Sequence, residues 1–331
     1  MKFPEMKYLK LMVTTLFVLM TSVSFAQTYN NEWIDFSKTY FKFKIINNSV
    51  HRITPATLAS VGLINVDVRD FQLFRNGKEV PIYTSVSSGP LPANGYIEFF
   101  GEKNDGKADK DLYRFPAYQH TDKYSFETDT AVYFLTRNTG ANLRFSDKAN
   151  DVAGNVLPAE PYFMHTYGHY FRENLNFGIA AVVGEYVYSS SYDKGEFYSS
   201  EDIYSDTPGY DVSKKIQAAN LFTNASGGSS KFKFGAFGNA LNTRQVSVKL
   251  NGTDIAGNNA GVMDYFNDMV KEVNIATSLI SSGTANLEFH NQSNVKTDRM
   301  VISFFEITYP RNFNFGGENN FNFELPAKAG G

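Results

Sequence analysis

The chain has 331 residues, a formal net charge of −3 and 20% charged residues, long enough for two domains with substantial cores. Its charges are evenly interspersed, with no lysine–arginine tract, which argues against a nucleic-acid partner. There is no cysteine, so disulfides, a thiolate nucleophile, cysteine-ligated zinc and iron–sulfur clusters are excluded.

The first residues read as a signal peptide. Lys2, Lys7 and Lys10 precede an apolar run from Leu11 to Val23, and Ser24-Phe25-Ala26 offers small residues where a signal peptidase cleaves. The run is shorter than the ~20 apolar residues that span a bilayer. Residues 1–26 are therefore assigned to the signal peptide, the mature chain to Gln27 onward without a transmembrane segment, and the protein to export.

Thirty Phe, twenty Tyr and one Trp make the chain 15% aromatic, a composition that suits strands. Short alternating runs separated by Gly, Asn, Asp and Pro follow: Tyr40–Ile45, Val132–Leu135, Lys231–Phe234 and Gln245–Leu250. Thr54-Pro55 has the cap and first-turn residues of a short helix, which Gly62 ends. Phe71 to Arg75 forms a strand, Asn76-Gly77 supplies the two positive-φ residues of a tight hairpin, and Val80, Ile82 and Tyr83 continue on the return strand. Tyr96 to Phe100 resumes after an Asn94-Gly95 turn. Ser146 to Pro161 has linker composition, which divides an N-terminal β domain (27–150) from a second β domain (151–331). The fold class is all-β: two β-sandwich-like domains, the second jelly-roll-like. Residues 263–270 fit a helical turn or a strand equally, and Phe321, Phe323 and Leu325 read as an alternating strand.

Catalytic patterns are absent: no GxSxG elbow, no P-loop and no GxGxxG after a strand. His165, His169 and Glu173, each four apart, would share one face of a strand, but aromatic flanks favour structural histidines over a metal site. Glu102, Asn104, Asp105, Asp109 and Asp111 around Gly106 are hard oxygen donors on a glycine-bearing loop, the pattern that calcium prefers. Interleaved lysines and non-EF-hand spacing leave open a solvated turn capped by its own Asx side chains. No other cofactor is indicated. Tyr186, Tyr188, Tyr192, Phe197, Tyr198 and Tyr204 form an aromatic series that would either stack on sugar rings or face a core.

Four phrases carry a family resemblance: FQLFRNGKEVPIY (71–83), GYIEFFGEKNDGKADKDLY (95–113), TDTAVYFLT (128–136) and TDRMVISFFEITYPR (297–311). In this order they resemble the region preceding the peptidase domain of gingipain-family cysteine peptidases, the family of the PorU-like sortase of type IX secretion. The resemblance implies β-rich pro- or accessory domains. The family's catalytic His and Cys lie further on, in an α/β peptidase domain, so no catalytic residue is carried over. At Asp193-Lys194-Gly195-Glu196-Phe197 the family tends to show another glycine after the glutamate. The resemblance implies a non-catalytic accessory region of an exported surface protein, partnered by a peptidase domain or by type IX secretion components. Its location would be the cell surface, or the periplasm if the chain is truncated. An exported carbohydrate-binding or adhesin-type sandwich is the alternative.

Overall fold

The computed structural model describes residues 31–147, 149, 154, 159–182, 186–188, 191–205, 212–224, 229–255, 261–318, 321, 323 and 325. The candidate signal peptide and most of the Ser146–Pro161 segment lie outside them. Two compact units divide the chain, one of residues 1–101 with 131–147 and the other of 102–130 with 148–331. The sequence assigns residues 102–130 to the N-terminal domain; the structure gives them to the second unit. The reason is where their side chains are anchored: the Tyr113 hydroxyl donates to the Glu196 carbonyl at 2.9 Å, and His120 sits 2.8 Å from the Ser303 hydroxyl.

In the first unit, alternation builds two antiparallel sheets. Strands β1 (Phe41–Ile45), β2 (Ser49–Ile53), β3 (Phe71–Arg75), β4 (Lys78–Val80), β5 (Tyr83–Thr84), β6 (Ile97–Gly101) and β7 (Ala131–Arg137) arrange as β1-β7-β3-β4 and β2-β6-β5. Phe43 and Tyr133 from the first sheet meet Phe99 from the second at centroid distances of 5.9 and 5.5 Å, closing one core with Phe71, Leu73 and Ile97. The period of two sends Phe74 to the opposite face, where it packs under the single tryptophan, Trp33, at 5.0 Å. Helix α1 (Pro55–Ser60) is capped by Thr54, whose side chain accepts from Thr57 N at 3.3 Å, and buries Leu58.

The β3–β4 hairpin is a two-residue turn: Arg75 pairs with Lys78, and Asn76 and Gly77 have φ of 48° and 75°. This is the type I′ geometry that matches strand twist. The return strand stops at Val80, because Pro81 has no N–H to continue the ladder. Ile82 instead bridges Arg144, and Tyr83 joins the other sheet through Glu98. Gly77→Val is expected to destabilise the protein by more than ~1 kcal/mol, since a β-branched residue is strained at positive φ. A thermal melt checks this, and an unchanged midpoint would contradict it.

The second unit contains β8 (Phe163–Tyr170), β9 (Asn174–Phe177), β10 (Ala180–Val182), β11 (Tyr186–Tyr188), β12 (Glu196–Ser199), β13 (Ile203–Tyr204), β14 (Val212–Gln217), β15 (Ser230–Gly238), β16 (Thr243–Leu250), β17 (Thr253–Asp254), β18 (Gly261–Asp264), β19 (Asp268–Ile275), β20 (Thr284–Gln292) and β21 (Arg299–Arg311). One sheet runs β13-β21-β15-β19 with β8 also on β21; the facing sheet runs β14-β20-β16-β17 with β18 on β16. From β14 onward the chain repeatedly crosses between the two sheets, the jelly-roll-like alternation. Phe232, Phe234, Phe289 and Phe305 fill the space between them, all fully buried. Residues 263–270 turn from β18 in one sheet to β19 in the other, with Tyr265 at φ 51°. They form no helix.

The chain's end departs from expectation. Phe321, Phe323 and Leu325 belong to no strand. Phe321 and Phe323 instead pack their rings against the buried Phe163 at 5.9 and 5.1 Å.

Candidate functional site

The five candidate calcium ligands do not converge. The buried Asp109 carboxylate accepts from the Ser125 hydroxyl and from Phe126 N at 2.6 Å, so it acts as an internal cap. Asp105 accepts from Lys107 N within its own turn and pairs with Lys107 Nζ at 2.7 Å. The Asn104 amide donates to the Thr128 carbonyl at 2.7 Å, while the Asp111 and Glu102 side chains are exposed. Among the described residues, no group of three or more acidic or histidine side chains is placed to hold a metal ion. Asp105 and Asp109 thus spend their carboxylates on backbone, hydroxyl and lysine partners close by, as an Asx-capped turn does.

His165 and His169 lie on β8 as expected, but their rings serve packing. His165 stacks on Phe321 at 5.3 Å, and His169 stacks on Phe305 at 5.3 Å. Glu173 stands 4.0 Å from His169 and 3.7 Å from Lys214. Of the aromatic series, Phe197 is core. Tyr192 donates to Glu127 at 3.0 Å, and Tyr198 lies under Arg172 at 5.2 Å, beside Tyr124 and Phe126. Both rings are half-buried among these neighbours. The side chains of Tyr186 and Tyr188 lie outside the described residues. The Asp193–Glu196 turn closes with Glu196 N donating to the Asp193 carbonyl at 3.1 Å and Gly195 at φ 80°.

One constellation has the residue types of a hydrolase. His120 Nδ1 is 2.8 Å from Ser303 Oγ, and its Nε2 is 3.4 Å from Asp268 Oδ2. Two features remove the chemistry. The serine meets Nδ1 and the carboxylate Nε2, the reverse of a Ser–His–Asp relay, and Ser303 is 0% exposed. No substrate carbonyl could reach the hydroxyl. The imidazole instead latches residues 102–130 to the sandwich, its ring 4.3 Å from Phe197.

Burial holds His120 neutral, pushing its pKa below 6.5 despite the nearby Asp268 carboxylate. Burial, helped by Arg311, pushes His165 down to about 4. Both groups bind protons more readily in the unfolded chain, where their pKa is ~6.5. The stability this allows is complete above pH ~6.5 and falls as pH drops below it. The melting temperature is expected to be level from pH 8 to 7 and to fall between about 6.5 and 4. His165→Leu should flatten part of that slope; an identical slope in the variant would count against it.

A groove of about 590 Å³ opens in the second unit. One wall is β9, with Asn174, Asn176 and the exposed Phe177; the floor is Ser199 and Ser200 at the end of β12. Asp202, Asn239 and Arg299 also line it. Asn239 links these residues: its Nδ2 donates to Asn176 Oδ1 at 2.9 Å and to Asp202 Oδ1 at 3.0 Å, and its backbone N donates to the Arg299 carbonyl at 2.9 Å. Asn176 in turn donates to the Gly195 carbonyl at 2.6 Å, and Arg299 Nε lies 3.6 Å from Asp202. No local pattern marks this groove or the His120 latch, since their residues come from segments up to 183 positions apart.

No protein-family model matches the chain, and no curated protein matches it in sequence. Among solved structures it is similar to dimeric latent PorU from Porphyromonas gingivalis over 84% of this chain and 25% of that one, with 14% identity and a TM-score of 0.48. The chain thus spans about a quarter of the length of that protein. It is similar to a family 36 carbohydrate-binding module in complex with calcium and xylotriose over 43% of this chain and 98% of the module, with 16% identity and a TM-score of 0.25. A β-porphyranase of glycoside hydrolase family 86 from the human gut bacterium Bacteroides plebeius aligns over 83% of this chain and 34% of that one, with 8% identity and a TM-score of 0.26. None of these likenesses carries a function to this chain.

Proposed function

We propose that this chain is a non-catalytic, β-sandwich accessory region of an exported, gingipain-like surface protein, which docks or helps assemble a peptidase domain in a type IX secretion setting. The observation that supports it most is where the four gingipain-like phrases fall. They form the β3–β4 hairpin, β6 with the residues that follow it to Tyr113, β7, and β21, which pairs with β8, β13 and β15. The resemblance is thus carried by framework strands, as a scaffold would carry it. The chain has no cysteine thiol, and Ser303, the serine beside His120, is fully buried. Among the described residues no helix is long and apolar enough to cross a membrane.

The test is co-expression of the full chain with a separately encoded gingipain-type peptidase domain, followed by size-exclusion chromatography and a peptidase assay. Co-elution and a higher yield of folded peptidase are expected. Separate elution, or peptide hydrolysis by the purified chain alone, would overturn the reading.

A further inference from the structure

We propose that residues 102–130 form an acid-released strap, which lets go of the sandwich when His120 takes up a proton. This concerns regulation and does not depend on the docking role.

The segment holds no strand, only single helical turns at Ala108–Asp111 and Pro116–Tyr118. Its own shape rests on internal bonds: Asp109 accepts from Ser125 Oγ and Phe126 N, and Gly106 N donates to the Asp122 carbonyl. Its ties to the sandwich are separate contacts and not a strand ladder. Among them, Tyr113 donates to the Glu196 carbonyl, Arg114 N to the Tyr192 carbonyl, and Arg172 to Asp129. The Tyr124 and Phe126 rings lie 5.9 and 5.5 Å from Tyr198. A segment attached in this way lifts without breaking a sheet, which places it at the low end of local stability.

His120 is the buried member of this attachment. Its side chain is 1% exposed, and the ring sits against Gly235, where a Cβ would lie 2.8 Å from Nδ1. Ser303 meets Nδ1, but Nε2 has no hydrogen-bond partner, a rare state for a buried nitrogen. Asp268 stands 3.4 Å away, yet its other oxygen is already engaged by Lys194 Nζ at 3.2 Å. Protonating the ring would therefore set two cations on one carboxylate and leave a net positive charge out of water. The crevice beside the ring adds to that surplus: Lys107, Lys110, Lys123 and Lys233 line it against Asp122 and Glu306. On the other side Asp109 is taken up by Ser125 and Phe126. Once the strap lifts, the imidazole regains an ordinary affinity for protons, with a pKa of ~6.5. The open form then binds the proton more tightly than the closed one, so falling pH favours release, by at most about tenfold per pH unit for one proton. Release uncovers Phe197, on which the imidazole packs at 4.3 Å.

The experiment is amide hydrogen exchange of the full chain, read by mass spectrometry between about pH 7.5 and 5, with each rate divided by the intrinsic exchange rate at that pH. Protection of peptides from 102–130 is expected to fall about tenfold across this range, while peptides from β16 and β20 keep theirs. His120→Gln, which cannot take up the proton, should remove the pH dependence. Lys194→Met leaves Asp268 free to pair with the imidazolium and should suppress the release. Other acid-sensitive ties, such as Arg172 with Asp129, would survive both substitutions. If His120→Gln does not fold, Lys194→Met decides alone, since its side chain is 20% exposed and its loss opens no core. Level protection of 102–130 in the native chain, an equal loss in β16 and β20, or undiminished release in Lys194→Met would each overturn the proposal. A failure here leaves the co-elution result untouched, so the two readings fall separately.

Discussion

Arg244→Met is expected to destabilise the protein by about 3–5 kcal/mol, the largest loss from any single polar substitution considered. Arg244 and Asp298 are both 0% exposed, and the guanidinium grips the carboxylate through two bonds of 2.8 Å, Nε to Oδ2 and Nη2 to Oδ1. Two of the three remaining guanidinium hydrogens go to the Tyr265 and Ala240 carbonyls, each at 2.8 Å. Removing the arginine leaves a buried carboxylate with the Asn242 and Asn291 amides as its donors among the described residues, and a buried charge without a counter-charge is costly. Gly238 belongs to the same arrangement, because a Cβ there would occupy the position of Arg244 Nη1. Urea denaturation of Arg244→Met and of the double variant Arg244→Met/Asp298→Leu is the measurement. The double variant should be the more stable of the two, since an apolar pair leaves no charge behind. A single-variant loss under ~1 kcal/mol would show that water reaches the site.

Phe305→Ala is expected to cost about 3–5 kcal/mol, the range for truncating a fully buried phenyl ring. Its ring lies 6.2 Å from both Phe289 and Phe171, 6.3 Å from Phe232, and is stacked by His169 at 5.3 Å. Both sheets contribute to this cluster, so the resulting cavity would have walls that cannot easily close. Phe323→Ala, 42% exposed, should stay within about 1 kcal/mol of the native protein. Chemical denaturation separates the two, and equal losses would contradict the assignment of Phe305 to the centre of the core.

The β class, the Asn76-Gly77 turn and the Thr54-Pro55 helix start were all legible, because each rests on local geometry. Alternation needs only a period of two, and a type I′ turn needs only two residues that tolerate positive φ. Arg244 was legible too, had its phase been followed: it alternates inward with Val246, Val248 and Leu250 on β16. Its charge argued for the surface, and nothing nearby announced Asp298, 54 positions away.

β21 shows why local reading ran out. Val301-Ile302-Ser303-Phe304-Phe305 has no alternation, because the register against β15 shifts between Gly235 and Ala236. Met300 and Ile302 face the core before the shift; Phe305, Ile307 and Tyr309 face it after. Ser303, the residue left over, receives the His120 latch.

By itself the sequence determined the β class, the tight hairpin, the short capped helix and the absence of thiol chemistry, since these follow from residue type and from neighbours within a few positions. Tertiary structure alone decided that residues 102–130 belong to the second unit, that Asp109 caps a loop, that Arg244 pairs with Asp298, and that Asn176, Asn239 and Asp202 meet in one groove. Each of those depends on contacts between distant strands, whose register is set by core packing and a bulge that no local pattern encodes.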